Sequence, residues 1–228
     1  MTKIKKFLSE NINEYRHWTE QNDFGGIHIK ILNYLKNIEN GVFIETGAHD
    51  GIFQSTTKIL EDLGWTGLLI EPSKNLYEKC LKNRNSISEN YALVSSKYDK
   101  ETINGDWIGN LILQQNGITL MGDEDEICDA ITLTELCKKH KIFEVDFFSL
   151  DVEGYELEVL DGLDFNLINV RYCLVEWNQR LYSIDDLIRF MNEKNFEFVC
   201  NLSNFTKQNC PTWPGTHQDF LFLNKNYL

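Results

Sequence analysis

The sequence predicts an α/β protein with a doubly wound, mostly parallel seven-stranded sheet, helices on both faces and a C-terminal antiparallel hairpin. Apolar runs of strand length alternate with stretches in which apolar residues recur every three to four positions, the signature of strand and covering helix. Such alternation implies parallel strands buried on both sides. The last two runs, Phe196-Glu197-Phe198-Val199 and Asp219-Phe220-Leu221-Phe222-Leu223, have no helical pattern between them and read as an antiparallel pair. The expected organisation is a helical segment over 1–40 that packs on the core, then one globular unit over 41–228 with an insertion at about 97–129.

In chain order, Ile27, Ile31, Leu32, Leu35 and Ile38 mark an amphipathic helix that stops before Asn40-Gly41. Val42-Phe43-Ile44 is the first strand, Gly47 to Gly51 its turn, and Thr56 to Leu63 the next helix. Gly64-Trp65-Thr66-Gly67 breaks that helix, Leu68-Leu69-Ile70 forms the second strand, and Pro72-Ser73 opens a helix through Leu76, Tyr77 and Cys80. A third strand is expected around Asn90 to Ser95, and 97–129 reads as an insertion or small hairpin. Thr132 with Glu135 three residues on is a capping box for a helix ending near His140. Phe147-Phe148-Ser149-Leu150 and Tyr172-Cys173-Leu174-Val175 are buried strands, followed by helices through Leu157 and Leu160 and through Ile184, Leu187, Ile188 and Met191.

Composition narrows the function classes. A net charge of -13 would repel a phosphate backbone, so nucleic acid is not an expected partner. No apolar run approaches the ~20 residues of a membrane span. The basic first residues lead into Ser9-Glu10-Asn11 rather than an apolar stretch, so the expected location is cytoplasmic. Six cysteines without a Cys-x-x-Cys spacing read as reduced thiols, mostly in the core.

In sheets of this kind ligands bind beyond the carboxyl ends of the strands, where strand order reverses. The sequence puts a carboxylate at four successive strand ends: Glu45, Glu71, Asp151 with Glu153, and Glu176. The turn Glu45-Thr46-Gly47-Ala48-His49-Asp50-Gly51 lacks the third glycine of a dinucleotide fingerprint, which argues against pyrophosphate and a nicotinamide-dependent oxidoreductase. A leading carboxylate suits the ammonium and sulfonium charges of S-adenosylmethionine instead. Glu71, about 20 residues past the turn, stands where a ribose-hydroxyl acceptor belongs.

Four segments together resemble the FkbM-type methyltransferases of the class I S-adenosylmethionine fold, which is Rossmann-like. They are Val42 to Gly51, Gly64 to Pro72, Asn90-Tyr91-Ala92-Leu93-Val94-Ser95 and, most specifically, Asp146-Phe147-Phe148-Ser149-Leu150-Asp151-Val152-Glu153-Gly154-Tyr155-Glu156. The resemblance runs from about Val42 to Glu176, and His49 departs from the asparagine common in the family. It implies that Gly47, Asp50 and Gly51 wrap the methionine end of S-adenosylmethionine, Glu71 the ribose, and Ala92 to Ser95 the adenine neighbourhood, with Glu45, Ala48, Pro72 and Asp151 also among the cofactor-binding residues. It also implies O-methylation of a hydroxyl on a sugar or glycan, the alternative being a small secondary metabolite.

Methyl transfer needs the acceptor oxygen aligned and its proton removed. Asp151, Glu153, Glu176 and His217 are the expected catalytic residues, and Asp151, Glu153 and Glu176 the expected ligands of an assisting Mg²⁺ or Mn²⁺. The plainer readings are that Glu153 caps the following helix, Glu176 pairs with Arg180, and His217 is solvated. Trp177 is the best candidate for stacking on a sugar face, ahead of His17, Trp18, His28, Trp107 and Trp213. A non-catalytic protein that keeps the fold is the remaining rival.

Overall fold

A computed structural model describes residues 1–10, 26–105, 126–208 and 215–228. His17, Trp18, Trp107, Trp213, Cys210 and much of the expected insertion lie outside the described residues. The elements are α1 (Lys3–Glu10), α2 (Ile27–Leu35), β1 (Val42–Thr46), α3 (Lys58–Asp62), β2 (Thr66–Ile70), α4 (Lys74–Asn83), β3 (Ile87–Glu89), β4 (Ala92–Leu93), β5 (Thr102–Gly105) and β6 (Glu126–Ile131). They continue as α5 (Leu133–His140), β7 (Glu144–Leu150), α6 (Glu156–Asp161), β8 (Asn169–Asn178), α7 (Ile184–Glu193), β9 (Phe196–Asn201) and β10 (His217–Asn224).

Seven strands form the main sheet in the order β3-β2-β1-β7-β8-β10-β9. The pairs β3–β2, β2–β1, β1–β7 and β7–β8 are parallel, whereas β10 runs antiparallel to both β8 and β9. The chain therefore winds outward from β1 in one direction and from β7 in the other, and the gap between their carboxyl ends is the switch point. The terminal hairpin is present, but its reversed strand β10 lies inside the sheet and β9 takes the edge.

Alternation along the strands divides the core into two layers. Ile44, Phe148, Val175 and Phe222 face α5, α6 and α7 through Leu136, Cys137, Leu160, Leu187 and Met191. Phe43, Phe147, Leu174 and Leu221 face α1, α2 and α3 through Ile4, Phe7, Ile31, Leu32, Leu35, Ile59 and Leu60. The helix starts follow their sequence signals. Thr132 and Glu135 close a reciprocal capping box on α5, and the Ser183 hydroxyl accepts the Asp186 N–H at the start of α7. Each such cap stabilises its helix by about 1 kcal/mol.

The third strand of the main sheet is Ile87–Glu89, three residues before the stretch expected from sequence. Ala92–Leu93 instead joins a separate three-stranded sheet, pairing in parallel with β6, while β5 pairs with β6 antiparallel. Within 97–129 the described residues supply β5 and the start of β6, which pair antiparallel. Cys80, Cys128, Cys137, Cys173 and Cys200 are free, and the first four are buried.

Candidate active site

The turn after β1 is held tightly against the sheet. Gly47 and Ala48 both donate their N–H to Ile70 O, at 3.0 and 3.1 Å, and the Asp151 N–H reaches Thr46 O at 3.4 Å. Gly47 has φ +70°, and a Cβ there would lie 1.9 Å from the backbone oxygen of Asp151. Only glycine permits the turn and lets the ends of β1 and β7 abut at the switch point.

Carboxylates then fix the turn from three directions. Glu71, buried at the end of β2, accepts the His49 N–H at 2.7 Å and the Ser73 N–H at 2.9 Å. Burial raises its carboxyl from the ordinary 4.5 to about 7, against the opposing pull of those two N–H groups, and Glu126 adds to the rise. Asn90 steadies the same strand end by donating to the carbonyl oxygens of Glu71 and Pro72, each at 2.8 Å. Asp50 accepts from the N–H groups of Ile52 and Phe53, at 2.9 and 2.7 Å, and these bonds hold its carboxyl below the usual range although burial pushes it up.

Glu45 has a different position from the one expected. It lies on the face of β1 that carries Phe43, and its carboxylate accepts from Ser55 Oγ at 2.8 Å, Thr56 N at 2.8 Å and Thr57 Oγ1 at 2.6 Å. It also pairs with Arg84 at 3.3 Å. Its oxygens are engaged in holding the segment after the turn, and it shares the Arg84 guanidinium with Glu61. Sequence reasoning missed Arg84, whose side chain is fully buried.

The second half of the site is a row of acids. Glu45 pairs with Ser149, Ser149 with Leu174, Leu174 with Leu221, and two residues further along β8 and β10 Glu176 pairs with Asp219. Continuing the β7–β8 register by one residue sets Asp151 beside Glu176. Three carboxyl groups thus lie in one lateral row across β7, β8 and β10, with strands about 4.8 Å apart. Asp151 and Glu176 lie close enough for each carboxyl to act on the ionisation of the other. Burial raises both carboxyls well above the usual range, and Glu153, Asp219 and Glu156 add to the rise. Glu176 is only 8% exposed. Its Oε2 is buried with no hydrogen-bond partner.

The turn that presents Asp151 is built from the motif itself. Glu153 and Gly154 adopt φ of +54° and +104°, and Glu156 folds back to accept the N–H groups of Val152 at 3.3 Å and Gly154 at 2.8 Å. Tyr182 donates to the same carboxylate at 3.2 Å. Burial raises the Glu156 carboxyl to about 7. No side chain caps the start of α6; Glu156 instead holds the turn before it, and Glu153 is exposed. Among the described residues no ion pair joins Glu176 to Arg180.

The expected metal set does not form. Among the described residues no group of three His, Cys, Asp or Glu side chains is disposed to hold a metal ion. Burial and the neighbouring acids raise the carboxyls of Asp151 and Glu176, which disfavours their charged forms, while Glu153 stands on the exposed side of its turn. Trp177 is not a free stacking platform either: its ring packs on Phe220 with centroids 5.5 Å apart and its indole N–H donates to Tyr182 O at 2.9 Å. His28 is buried in the core. His217, at the start of β10, packs edge-on against Phe205 at 5.9 Å, and burial lowers its imidazole pKa. Ala92 and Ser95 are buried on and just after β4, outside the main sheet.

No helix among the described residues is long and apolar enough to cross a membrane. None of the curated proteins matches the chain in sequence. Among solved structures, the chain resembles one in the fibrillarin/Nop5p complex at 11% identity and TM-score 0.50, covering 88% of this chain and 83% of that one. An S-adenosylmethionine-dependent methyltransferase from Clostridium acetobutylicum matches at 8% identity and TM-score 0.47, over 92% of this chain and 98% of that one. The first of these likenesses bears on the fold alone. The sequence profile of the methyltransferase FkbM domain matches residues 45–198, from Glu45 in β1 into β9. The chain belongs to the FkbM methyltransferase family and is an S-adenosylmethionine-dependent methyltransferase of Rossmann-like fold.

Proposed function

We propose that the protein transfers a methyl group to a hydroxyl oxygen, with a sugar or glycan as the acceptor and the acid row as the acceptor site. The observation that carries this reading is the row Asp151–Glu176–Asp219, which begins at the switch point and contains the buried, unpartnered oxygen of Glu176. Hydroxyl groups are donors as well as acceptors, and a file of carboxyl oxygens is suited to bind several of them at once. The cofactor supplies an activated methyl group on a sulfonium.

The residues on the other side of the switch point fit that cofactor. Gly47 leaves room where any Cβ would intrude, and Glu71 retains lone pairs for ribose hydroxyls after accepting two N–H groups. Gly47, Ala48, Asp50 and Gly51 form the turn that lies against the donor, with Pro72 beside the ribose and Ala92 and Ser95 toward the adenine. At the acceptor, Glu176 takes the hydroxyl proton and the neighbouring Asp151 orients the hydroxyl.

Glu71 makes cofactor affinity depend on pH. Its folded pKa of about 7 lies above the ordinary 4.5, so the folded apo state binds the extra proton between those values. The stability it contributes is complete below the unfolded value and is lost as pH rises through the folded one. Ionised Glu71 is the stronger acceptor for ribose hydroxyls. Calorimetric affinity for S-adenosylhomocysteine is therefore expected to rise between about pH 6 and about pH 8, with most of the slope absent in Glu71→Gln. A wild-type affinity that is flat over this range would remove Glu71 from the ribose contact.

The acceptor assignment is tested by supplying S-adenosylmethionine with hydroxyl-bearing sugars, glycans and small metabolites and following formation of S-adenosylhomocysteine. Turnover with a sugar or glycan supports the first reading. Turnover confined to small metabolites supports the alternative. Cofactor binding without acceleration by any hydroxyl compound would favour a protein that keeps the fold without the reaction.

A further inference from the structure

Arg84 ends α4 on a β-region backbone, and its guanidinium is buried among parts of the chain far apart in sequence. Nη1 donates to Gly51 O at 3.0 Å and Ser55 Oγ at 3.1 Å, and Nη2 donates to Thr57 Oγ1 at 3.0 Å. The head forms ion pairs with Glu45 at 3.3 Å and Glu61 at 3.2 Å. Its stem fills the space beneath the turn: a Cβ on Gly51 would lie 2.7 Å from Arg84 Cγ. The preceding residue repeats the contact from outside, since Asn83 Nδ2 donates to Asp50 O at 2.8 Å.

We infer that Arg84 is the positioning residue for the cofactor turn, so that affinity for the methyl donor is set partly from α4. The argument rests on the reading of Gly47 to Gly51 as the donor-binding turn. Arg84 touches no proposed ligand position; it acts through Gly51 O and through Glu45, which fixes residues 55–57. Asn83 and Arg84 thus hold the exit of the turn in one conformation. A binding loop already in its bound conformation gives up less freedom when the ligand arrives. A lysine at 84 keeps the charge but loses the planar fork that reaches Gly51 O, Ser55 and Thr57 together.

The test compares full-length wild type, Arg84→Lys, Asn83→Ala and the distant core variant Ile168→Val by calorimetric titration with S-adenosylhomocysteine, alongside thermal melts. Dissociation constant and stoichiometry separate the two possible roles. A purely structural role lowers the binding-competent fraction and leaves the dissociation constant of the remainder unchanged. The positioning role raises the constant about tenfold in Arg84→Lys and less in Asn83→Ala at full stoichiometry, with Ile168→Val unchanged however far its melting point falls. A wild-type constant in both Arg84→Lys and Asn83→Ala overturns the inference. Failure of wild type itself to bind S-adenosylhomocysteine overturns the reading of the turn instead.

Discussion

Glu176→Gln is expected to lower turnover by about 10²- to 10⁴-fold, the usual contribution of a positioned general base. Affinity for S-adenosylhomocysteine should stay within about twofold, because the residue lies on the acceptor side of the switch point. Stability should move the other way. Glu176 is buried beside Asp151, Glu153, Glu156 and Asp219, all of which raise its carboxyl. A folded pKa above the unfolded value means that the stability this group contributes is complete in acid and is lost as pH rises through the folded value. A neutral amide removes that loss, so the variant should melt higher than wild type at neutral pH while turning over more slowly. Asp151→Asn should show the same pairing of effects. Glu153→Gln, changed on an exposed side chain, should leave turnover within a few-fold; a loss as large as that of Glu176→Gln would move the base to Glu153. Steady-state rates with a responsive acceptor and melts on the same samples check all three variants. Unchanged turnover in Glu176→Gln would show that the acid row is not the proton acceptor.

Gly47→Ala is expected to be the most damaging single change to the fold. Two costs combine there. The left-handed φ of +70° costs a non-glycine residue about 1–2 kcal/mol. The new Cβ would also lie 1.9 Å from Asp151 O, a backbone atom that cannot swing away, so β1 and β7 must part. The sum should exceed about 3 kcal/mol, in the range that identifies a specific structural failure. Gly26→Ala is the internal control: it has the same φ of +70° with nothing within 4 Å of the added atom. Its loss should reflect the backbone term alone, at about 1 kcal/mol. Chemical denaturation of both variants separates conformational strain from the close approach. Little folded Gly47→Ala protein agrees with the expectation, whereas equal losses for the two variants would mean that the strand ends can separate freely.

Much of the fold was legible because two-sided burial writes itself into sequence. Val42-Phe43-Ile44, Leu68-Leu69-Ile70 and Phe147-Phe148 are continuous apolar runs because each side of the central sheet meets a layer of helices. Ile87-Ser88-Glu89 carries no such signal: it is an edge strand with its first residue exposed, and the apolar stretch Ala92-Leu93-Val94 nearby drew the assignment. The position of β10 was also unreadable, since its pairing with β8 and β9 depends on tertiary packing rather than on its own pattern.

The acids show a similar division. Their occurrence at strand ends located the rim, and Asp151 and Glu176 are indeed neighbours there. Their partners were not visible. Strand parity puts Glu45 on the Phe43 face, where its counterion comes from Arg84, 39 positions later. The segment Asn83-Arg84-Asn85 looks like an ordinary polar helix end, and the available clue was the need for glycine at 51 beneath a long side chain. Asp219 joins the row only because β10 runs backwards and brings its first residues to the rim where β7 and β8 end. The expectation of a metal arose from counting carboxylates; burial and the neighbouring acids instead raise the carboxyls of Asp151 and Glu176, and among the described residues no metal-holding group forms.

The most direct test of the proposed acceptor chemistry is to find which atom receives the methyl group. Incubation with carbon-labelled S-adenosylmethionine and a responsive acceptor, followed by nuclear magnetic resonance of the purified product, reads the atom bonded to the new methyl carbon. The proposal predicts a methyl ether on a sugar or glycan hydroxyl. A methyl group found on nitrogen, sulfur or carbon, with no ether formed, would contradict it.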